Sequence, residues 1–191
     1  MASENFLAQF GEIKKISVVD FMKIWKHYDV DKSGYIETEN AADGTNEFRS
    51  FVKDFLSATN DPSNATEENI TKTVEHFIQK FDRNHDRKFE LGELIHVLPV
   101  EENFMSKFAD TKLTDEHFDA IFAHYDQDKS GKLQEEEIDG LIRDMLVADK
   151  KAITVNEIKK MREELLKVAD LDGDGKIDRN EIRLFILGHK K

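Results

Sequence analysis

Cysteine is absent from this chain of 191 residues, and its absence excludes several classes of function. A chain without thiols has no disulfide, no thiolate metal site and no cysteine nucleophile. The chain also has no apolar run of the roughly 18 residues that would span a bilayer. Its N-terminal residues lack the basic and apolar segments of a secretory signal. These features favour a reducing compartment, and we expect the protein in the cytoplasm.

Basic residues are too few to offset the acidic ones, because 28 Lys and Arg face 40 Asp and Glu for a net charge of −12. Such a chain would repel the phosphates of a nucleic acid, which bind Lys and Arg. No serine–histidine–aspartate arrangement, nucleophile elbow or phosphate-binding loop is present, so we expect no enzyme activity. His117 and His124 share a helix face, but no third ligand is spaced to complete a zinc site with them.

Carboxylates, by contrast, are abundant and regularly spaced. Residues 170–181 read DLDGDGKIDRNE, with acidic side chains at loop positions 1, 3, 5 and 9, glycine at position 6 and glutamate at position 12. This spacing is the pattern of an EF-hand calcium loop. Ca²⁺ takes about six to eight oxygen ligands, which alternate side chains of a tightly curled loop can supply. The predicted ligands are Asp170, Asp172, Asp174, the Lys176 carbonyl, Asp178 through a bridging water, and Glu181 with both oxygens.

The pattern recurs upstream, so the chain carries four predicted loops: loop 1 (29–40), loop 2 (82–93), loop 3 (126–137) and loop 4 (170–181). Successive loops begin 53, 44 and 44 residues apart. The predicted ligands of loop 3 are Asp126, Asp128, Ser130, the Lys132 carbonyl and Glu137. Those of loop 2 are Asp82, Asn84, Asp86, the Lys88 carbonyl and Glu93.

Loop 2 departs from the pattern at position 6, where Arg87 replaces the usual glycine. That position needs a positive φ, which costs a non-glycine residue on the order of 1–2 kcal/mol. Because the ligands of loop 2 are otherwise retained, we expect a working but weaker site. The alternative is a loop held by packing alone, without an ion.

Loop 1 departs from the pattern at its end, because position 12 is Asn40, which cannot supply a bidentate carboxylate. Seven residues are inserted before Glu47, and without them the 53-residue interval becomes 46. A helical insert would add about 10 Å and place Glu47 out of reach of the ion. An insert that loops out would let Glu47 close the site, and the turn signal Asp43-Gly44 and the capping Thr45 favour this form. The predicted ligands of loop 1, extended to residue 47, are Asp29, Asp31, Ser33, the Tyr35 carbonyl and Glu47.

Each loop is flanked by apolar residues at helical spacing, which form a core more simply than a cofactor pocket. After loop 2 these residues are Leu91, Leu94, Ile95 and Leu98. The chain is therefore predicted to be all-α, with four helix–loop–helix hands. One hand cannot cover its own apolar face, so hands pack in pairs through a short antiparallel pairing of their loops. We expect Ile36 opposite Phe89 and Leu133 opposite Ile177. The predicted domains are residues 1–100, with loops 1 and 2, and residues 101–191, with loops 3 and 4.

A longer repeat overlies the hands, because the sequence ENFLAQF at residues 4–10 returns as ENFMSKF at residues 102–108. This linker sequence and the 44-residue loop spacing resemble the calbindin–calretinin–secretagogin family over nearly the whole chain. Residues 21–28, 81–86 and 118–126 carry the same resemblance. That family has six hands, and this chain resembles the last four. The resemblance implies a cytosolic calcium-binding protein that acts as buffer, sensor or both, with a linker helix before each pair of hands.

The residues themselves leave two functions open. A buffer binds Ca²⁺ with little change of shape, whereas a sensor opens its helix pairs and exposes an apolar groove to an amphipathic helix of a partner protein. Sensor grooves are often rich in methionine, and this chain has five methionines against fourteen phenylalanines, which favours stiff packing. We predict a monomeric calcium buffer, with the sensor as the alternative.

Overall fold

The computed structural model describes residues 5–10, 13, 15–39, 46–59, 62–148 and 154–189, which contain eight α-helices and four two-residue strands. These elements divide between two compact units, Met1–Glu101 and Glu102–Lys191, called unit 1 and unit 2 below. The predicted all-α fold with short antiparallel strand pairs is confirmed. No helix in the described part of the chain is long and apolar enough to cross a membrane.

Unit 1 surrounds loops 1 and 2. Its elements are a 3₁₀-helix at Phe6–Phe10, α1 (Val18–Tyr28), β1 (Ile36–Glu37), α2 (Glu47–Thr59), a 3₁₀-helix at Pro62–Asn64, α3 (Glu67–Phe81), β2 (Lys88–Phe89) and α4 (Leu91–Leu94). The helices before the loops begin at capping side chains. The Ser17 hydroxyl accepts the Asp20 N–H at 3.0 Å, and the Thr66 hydroxyl accepts the Asn69 N–H at 3.3 Å. Each such cap stabilises its helix by about 1 kcal/mol.

Unit 2 surrounds loops 3 and 4. Its elements are a 3₁₀-helix at Phe104–Phe108, α5 (Asp115–Tyr125), β3 (Lys132–Leu133), α6 (Glu135–Ala148), α7 (Val155–Ala169), β4 (Ile177–Asp178) and α8 (Arg179–His189). Here too the helices before the loops are capped. The Thr114 hydroxyl accepts the His117 N–H at 3.4 Å, and the Thr154 hydroxyl accepts the Glu157 N–H at 3.2 Å. The same local chemistry therefore starts each of these helices.

Within each unit the two loops are joined by a short antiparallel ladder. Strands β1 and β2 pair with Ile36 opposite Phe89, and strands β3 and β4 pair with Leu133 opposite Ile177. Both predicted pairings are confirmed. The four side chains are fully buried, so each ladder holds its two loops together and also contributes to the core of its unit.

Phenylalanines fill the core of unit 1 around Phe48 of α2. Phe48 stacks on Phe89 with the ring centroids 4.1 Å apart and the ring planes 12° from parallel. Phe51 and Phe77 lie 5.8 and 6.3 Å from Phe48, again between ring centroids. Aromatic pairs of this kind contribute about 0.5–1.5 kcal/mol beyond the burial of their area. Phe89 of β2 is thereby tied to α2, the helix that follows loop 1.

The helix after loop 2 is shorter than its sequence predicts. The apolar spacing indicates a helix that reaches Leu98, but α4 ends at Leu94. Beyond it the backbone bonds are those of tight turns, such as the bond from the His96 N–H to the Glu93 carbonyl at 3.1 Å. Pro99 accounts for the difference, because the residue before a proline is pushed out of the helical region. Leu98, the last apolar residue of this spacing, is still buried in unit 1.

Replacing Phe89 by alanine should destabilise unit 1 by about 3–5 kcal/mol, because the change leaves a cavity between the ladder and α2. Urea unfolding followed by circular dichroism measures the effect. Val30→Ala is the matched control, because Val30 belongs to the same unit but is 58% exposed, and its loss should cost no more than about 0.5 kcal/mol. Equal effects of the two changes would contradict this packing.

Candidate metal centres

The glutamates at loop position 12 in unit 2 are held by backbone donors at both of their carboxylate oxygens. One oxygen of Glu137 accepts the N–H of Gln127 and the other accepts the N–H of Gln134, both at 2.9 Å. Glu181 is bound in the same way by the N–H groups of Leu171 at 2.8 Å and Asp178 at 2.7 Å. The donors are loop positions 2 and 9 in both cases. Each glutamate therefore joins the two ends of its loop to the first turn of the following helix.

Glu47 occupies the same place in loop 1, although it comes seven residues late in the sequence. Its oxygens accept the N–H groups of Val30 at 2.7 Å and Glu37 at 3.3 Å, which are again loop positions 2 and 9. Helix α2 begins at Glu47 itself, so the helix does not extend back towards the insert. Asn40, the other predicted candidate for position 12, lies outside the described residues.

Three acidic side chains converge in loop 1. Carboxylate oxygens of Asp29, Asp31 and Glu47 lie within 4.8 Å of one another, close enough to share one ion. Burial raises the pKa of both Asp29 and Glu47 above the ordinary value, because a buried carboxylate loses its water, while backbone N–H groups partly oppose the rise. Ser33, the remaining predicted side-chain ligand, donates its hydroxyl to the Tyr35 carbonyl at 3.2 Å. The three predicted carboxylates of loop 1 are thus brought to one place, and its two other predicted ligands are hydrogen-bonded to each other.

Loops 3 and 4 also gather carboxylates. In loop 3 the oxygens of Asp126, Asp128 and Glu137 lie within 4.8 Å of one another. The Ser130 hydroxyl there donates to the Lys132 carbonyl at 2.8 Å, so these two predicted ligands are neighbours.

In loop 4 the corresponding group is Asp170, Asp172 and Asp174, without Glu181. Asp178 also has a structural role in this loop. Its carboxylate accepts the N–H groups of Asn180 at 2.7 Å and Glu181 at 3.0 Å, and thereby caps α8.

In loop 2 the position-12 glutamate accepts the same two backbone hydrogen bonds as in the other loops, but it is not part of a close group of three carboxylates. Glu93 accepts the N–H groups of Arg83 at 2.8 Å and Glu90 at 3.2 Å, like the other glutamates. Among the described residues, no third acidic group completes a set with Asp82 and Glu93 within the distance found in the other loops. However, one oxygen of Asp82 is buried without any hydrogen-bond partner. A buried, unpaired carboxylate oxygen is costly unless a cation or donor meets it, so it fits a metal ligand.

Position 6 has a positive φ in all four loops, as the sequence predicts for Arg87. The angles are 84° at Gly34, 60° at Arg87, 81° at Gly131 and 76° at Gly175. Arg87 therefore carries the strain that its glycine counterparts avoid. Its side chain meets Glu39 at 3.1 Å and Glu75 at 3.6 Å, and such exposed ion pairs stabilise little.

Two aspartates that the sequence analysis missed fasten the linkers to the hands. In unit 1 the Asp54 cluster consists of Asn5, Phe6, Tyr28 and Asp54. The Asp54 carboxylate accepts the Tyr28 hydroxyl at 2.7 Å and the Phe6 N–H at 3.3 Å, and the Asn5 amide donates to the Asp54 carbonyl at 2.9 Å. Tyr28 ends α1 and Asp54 lies in α2, so the cluster binds the linker to both helices around loop 1.

Unit 2 repeats this arrangement as the Asp144 cluster of Asn103, Phe104, Tyr125 and Asp144. The Asp144 carboxylate accepts the Tyr125 hydroxyl at 2.8 Å and the Phe104 N–H at 3.1 Å, and the Asn103 amide donates to the Asp144 carbonyl at 2.7 Å. The signal was present in the sequence: Tyr28 and Tyr125 are 97 residues apart, whereas Asp54 and Asp144 are 90 apart. The difference equals the seven-residue insert.

The histidines next to these clusters pack on aromatic rings. His27 stacks on Phe6 and His124 stacks on Phe104, with ring centroids 3.7 and 3.9 Å apart. His117 instead accepts the Thr114 N–H at 3.2 Å at the start of α5. Each of the three rings thus has a packing or hydrogen-bonding role in the structure.

The donor set of the loops suits a hard divalent cation. Nearly every predicted ligand atom is a carboxylate, hydroxyl or carbonyl oxygen, with one amide side chain at Asn84. Ca²⁺ prefers such oxygens and tolerates irregular geometry. The partnerless Asp82 oxygen and the clustered carboxylates of loops 1, 3 and 4 fit that ion.

Comparisons with known proteins agree with this geometry. A family model for an EF-hand domain pair matches residues 101–144, and a model for a single EF hand matches residues 161–186. Calretinin of Gallus gallus is 37% identical over 96% of this chain and 63% of its own length. Calretinin of Homo sapiens is 36% identical over 96% and 63%, and calbindin of Gallus gallus is 36% identical over 96% and 65%. The chain thus spans just under two thirds of the length of these relatives.

Replacing Glu47 by glutamine should weaken Ca²⁺ binding in loop 1 by at least about tenfold, because it removes one charge from the ligand group. Calorimetric titration of the variant and the wild type measures the change. Asn40→Ala is the control and should leave the titration unchanged. The reverse pattern, with Asn40 required and Glu47 dispensable, would contradict the role of Glu47.

Replacing Arg87 by glycine should strengthen binding in loop 2 and stabilise unit 1. The change relieves the positive φ, which costs about 1–2 kcal/mol, while the added freedom of glycine in the unfolded chain returns about 0.5–1 kcal/mol. A net gain of about 0.5–1 kcal/mol should be visible in thermal unfolding. Arg83→Gly, in the same loop but without a positive φ, should instead destabilise. If both variants destabilise, the strain at Arg87 does not limit loop 2.

Proposed function

Because the chain belongs to the calbindin–calretinin family of EF-hand proteins, we propose that it binds Ca²⁺ in all four loops and buffers the free ion. The observation that carries the proposal is the common placement of Glu47, Glu93, Glu137 and Glu181, each bound by the N–H groups of loop positions 2 and 9. A glutamate at this position supplies both of its oxygens to the ion. Membership of a family of calcium-binding proteins also agrees with the expectation that the chain is not an enzyme.

The proposed ligands are those predicted from the sequence, with Glu47 closing loop 1. Loops 1, 3 and 4 are proposed as the stronger sites because their carboxylates are gathered within 4.8 Å. Loop 2 is proposed as the weaker site, because it has one amide ligand at Asn84 and carries the strain of Arg87. Asp178 would reach the ion through water, since its carboxylate already caps α8.

Each unit is proposed as one pair of hands, and the chain as a monomer. Support comes from the ladders, because both loops of each ladder belong to the same unit and need no second copy of the chain. Light scattering of the calcium-loaded protein tests the monomer. The cytoplasm is the proposed location, and the lack of cysteine is consistent with a reducing compartment.

Two features favour a buffer that changes shape little. The Asp54 and Asp144 clusters tie the helix before a loop to the helix after it, through Tyr28 in unit 1 and Tyr125 in unit 2. Opening of a sensor hand changes the angle between these two helices, so it would strain or break the clusters. The stacked phenylalanines around Phe48 further resist opening in unit 1.

The alternative is a sensor that binds an amphipathic helix of a partner protein. Exposed apolar side chains in unit 2 favour it: Val168 is 71% exposed, Leu171 73% and Leu184 57%. Such residues would contribute to an apolar surface for a partner helix. The two functions differ in whether Ca²⁺ increases the exposed apolar area.

Fluorescence of the dye ANS, which binds exposed apolar surface, separates the two functions. Wild-type protein titrated with Ca²⁺ should show little rise in fluorescence, while calorimetry on the same sample reports binding. Tyr28→Phe with Tyr125→Phe should produce a calcium-dependent rise, because it frees the helices from the clusters. Tyr35→Phe is the control, since Tyr35 belongs to neither cluster. A large rise in the wild type would contradict the buffer and support the sensor.

A further inference from the structure

We propose that the Lys132 ammonium lowers the calcium affinity of loop 4 by competing with the ion for the carboxylates of Asp172 and Asp174. This inference rests on the calcium sites proposed above. It assigns to Lys132 a second role, because the sequence predicts only its carbonyl as a ligand of loop 3. The side chain would act on one site and the backbone of the same residue on the other.

The Lys132 ammonium donates a short hydrogen bond to each of the two aspartates. The Lys132 Nζ atom lies 2.6 Å from one oxygen of Asp172 and 2.6 Å from one oxygen of Asp174. These are charge-assisted hydrogen bonds, which are shorter and stronger than neutral ones. Because Lys132 lies opposite Asp178 in the ladder of β3 and β4, the backbone already places its side chain beside loop 4.

The two aspartates are positions 3 and 5 of loop 4, so the ammonium and the ion need the same groups. A Ca²⁺ ion would approach these oxygens to about 2.3–2.6 Å. A unit positive charge bound to the same carboxylates would then repel it at close range. The ion therefore has to displace the ammonium. Breaking its two hydrogen bonds costs free energy, and this cost lowers the affinity of loop 4 for Ca²⁺.

The other loops have no such competitor in the described part of the chain. Lys88, which holds the same position in loop 2, bonds Glu37 at 2.9 Å, a loop 1 residue outside the proposed ligand set. Loop 1 has Tyr35 at this position. Lys176 of loop 4 makes no ion pair among the described residues and acts on Asp128 of loop 3 only through the electrostatic attraction of its charge, without a hydrogen bond. Loop 4 is the loop richest in aspartate, and we infer that Lys132 moderates the affinity that those charges would otherwise give.

The test measures the affinity of loop 4 in the full chain by nuclear magnetic resonance. The Gly175 amide, which bonds Asp170 at 2.9 Å, reports on loop 4, and the Gly131 amide, which bonds Asp126 at 3.1 Å, reports on loop 3. Chelator-buffered Ca²⁺ is the titrant. Lys132→Met should tighten binding at Gly175 by about three- to tenfold at low salt, and molar potassium chloride should reduce the difference because it screens charges.

Two further variants separate the contact from the general charge of the protein. Lys129→Met removes the same charge from the same loop, but Lys129 makes no ion pair among the described residues, so Gly175 should respond like the wild type. Lys132→Arg retains the charge and should keep the lower affinity. The ammonium resonance of Lys132 should also shift as loop 4 fills, which reports displacement of the side chain without reference to affinity.

The possible failures are distinguishable. If neither Gly131 nor Gly175 responds to Ca²⁺ in any variant, the calcium sites proposed for loops 3 and 4 are wrong, and this inference is wrong as well. If both amides respond but Lys132→Met behaves like Lys129→Met, the sites stand and the role of Lys132 is wrong. Circular dichroism of each variant confirms that the fold is retained, and a misfolded methionine variant leaves the arginine variant and the Lys132 resonance as the decisive measurements.

Discussion

Gathering carboxylates in a small volume is the constraint on which the rest of this structure depends. Loss of water on burial opposes it most and mutual repulsion adds to the cost, and together they raise the pKa of Asp29 and Glu47 in loop 1. Backbone N–H groups offset part of that cost, because every position-12 glutamate accepts at least two of them. A divalent ion offsets the rest of this free-energy cost, so ion binding and loop geometry stabilise each other.

The same bonds transmit the geometry of the loops to the helices. A position-12 glutamate such as Glu137 lies in the first turn of the following helix, while its donors lie near the start of the loop and directly after the ladder strand β3. The Asp144 cluster then joins that helix back to the helix before the loop and to the linker. The hands of loops 1 and 3 are thus held closed both by the loop and by the cluster, which is the physical basis for proposing a buffer.

Much of the fold could be predicted from the sequence because its rules are local. Twelve-residue spacing identified the loops, and the apolar residue at position 8 predicted both ladders, Ile36 with Phe89 and Leu133 with Ile177. The insert in loop 1 was also interpretable, since the choice between Asn40 and Glu47 depends on the chemistry of a carboxylate. Glu47 accepts the same two donors as its counterparts.

What could not be predicted depends on contacts between distant residues. Asp54 and Asp144 look like ordinary surface aspartates of a helix until the linkers are placed against them. The contact of Lys132 with loop 4 requires the ladder to bring β3 beside the partner loop. Helix α4 is shorter than its apolar pattern indicates, because Pro99 prevails over periodicity. In each case a long-range or steric effect prevails over the local pattern.

The most direct test of the account is the number of calcium ions bound per chain at saturation. Equilibrium dialysis of the full chain against millimolar free Ca²⁺, with metal content measured by atomic absorption, gives that number. Four ions per chain are expected, one for each position-12 glutamate. A plateau at two would mean that the shared placement of these glutamates does not create a calcium site in every loop, and the absence of bound metal would contradict the account as a whole.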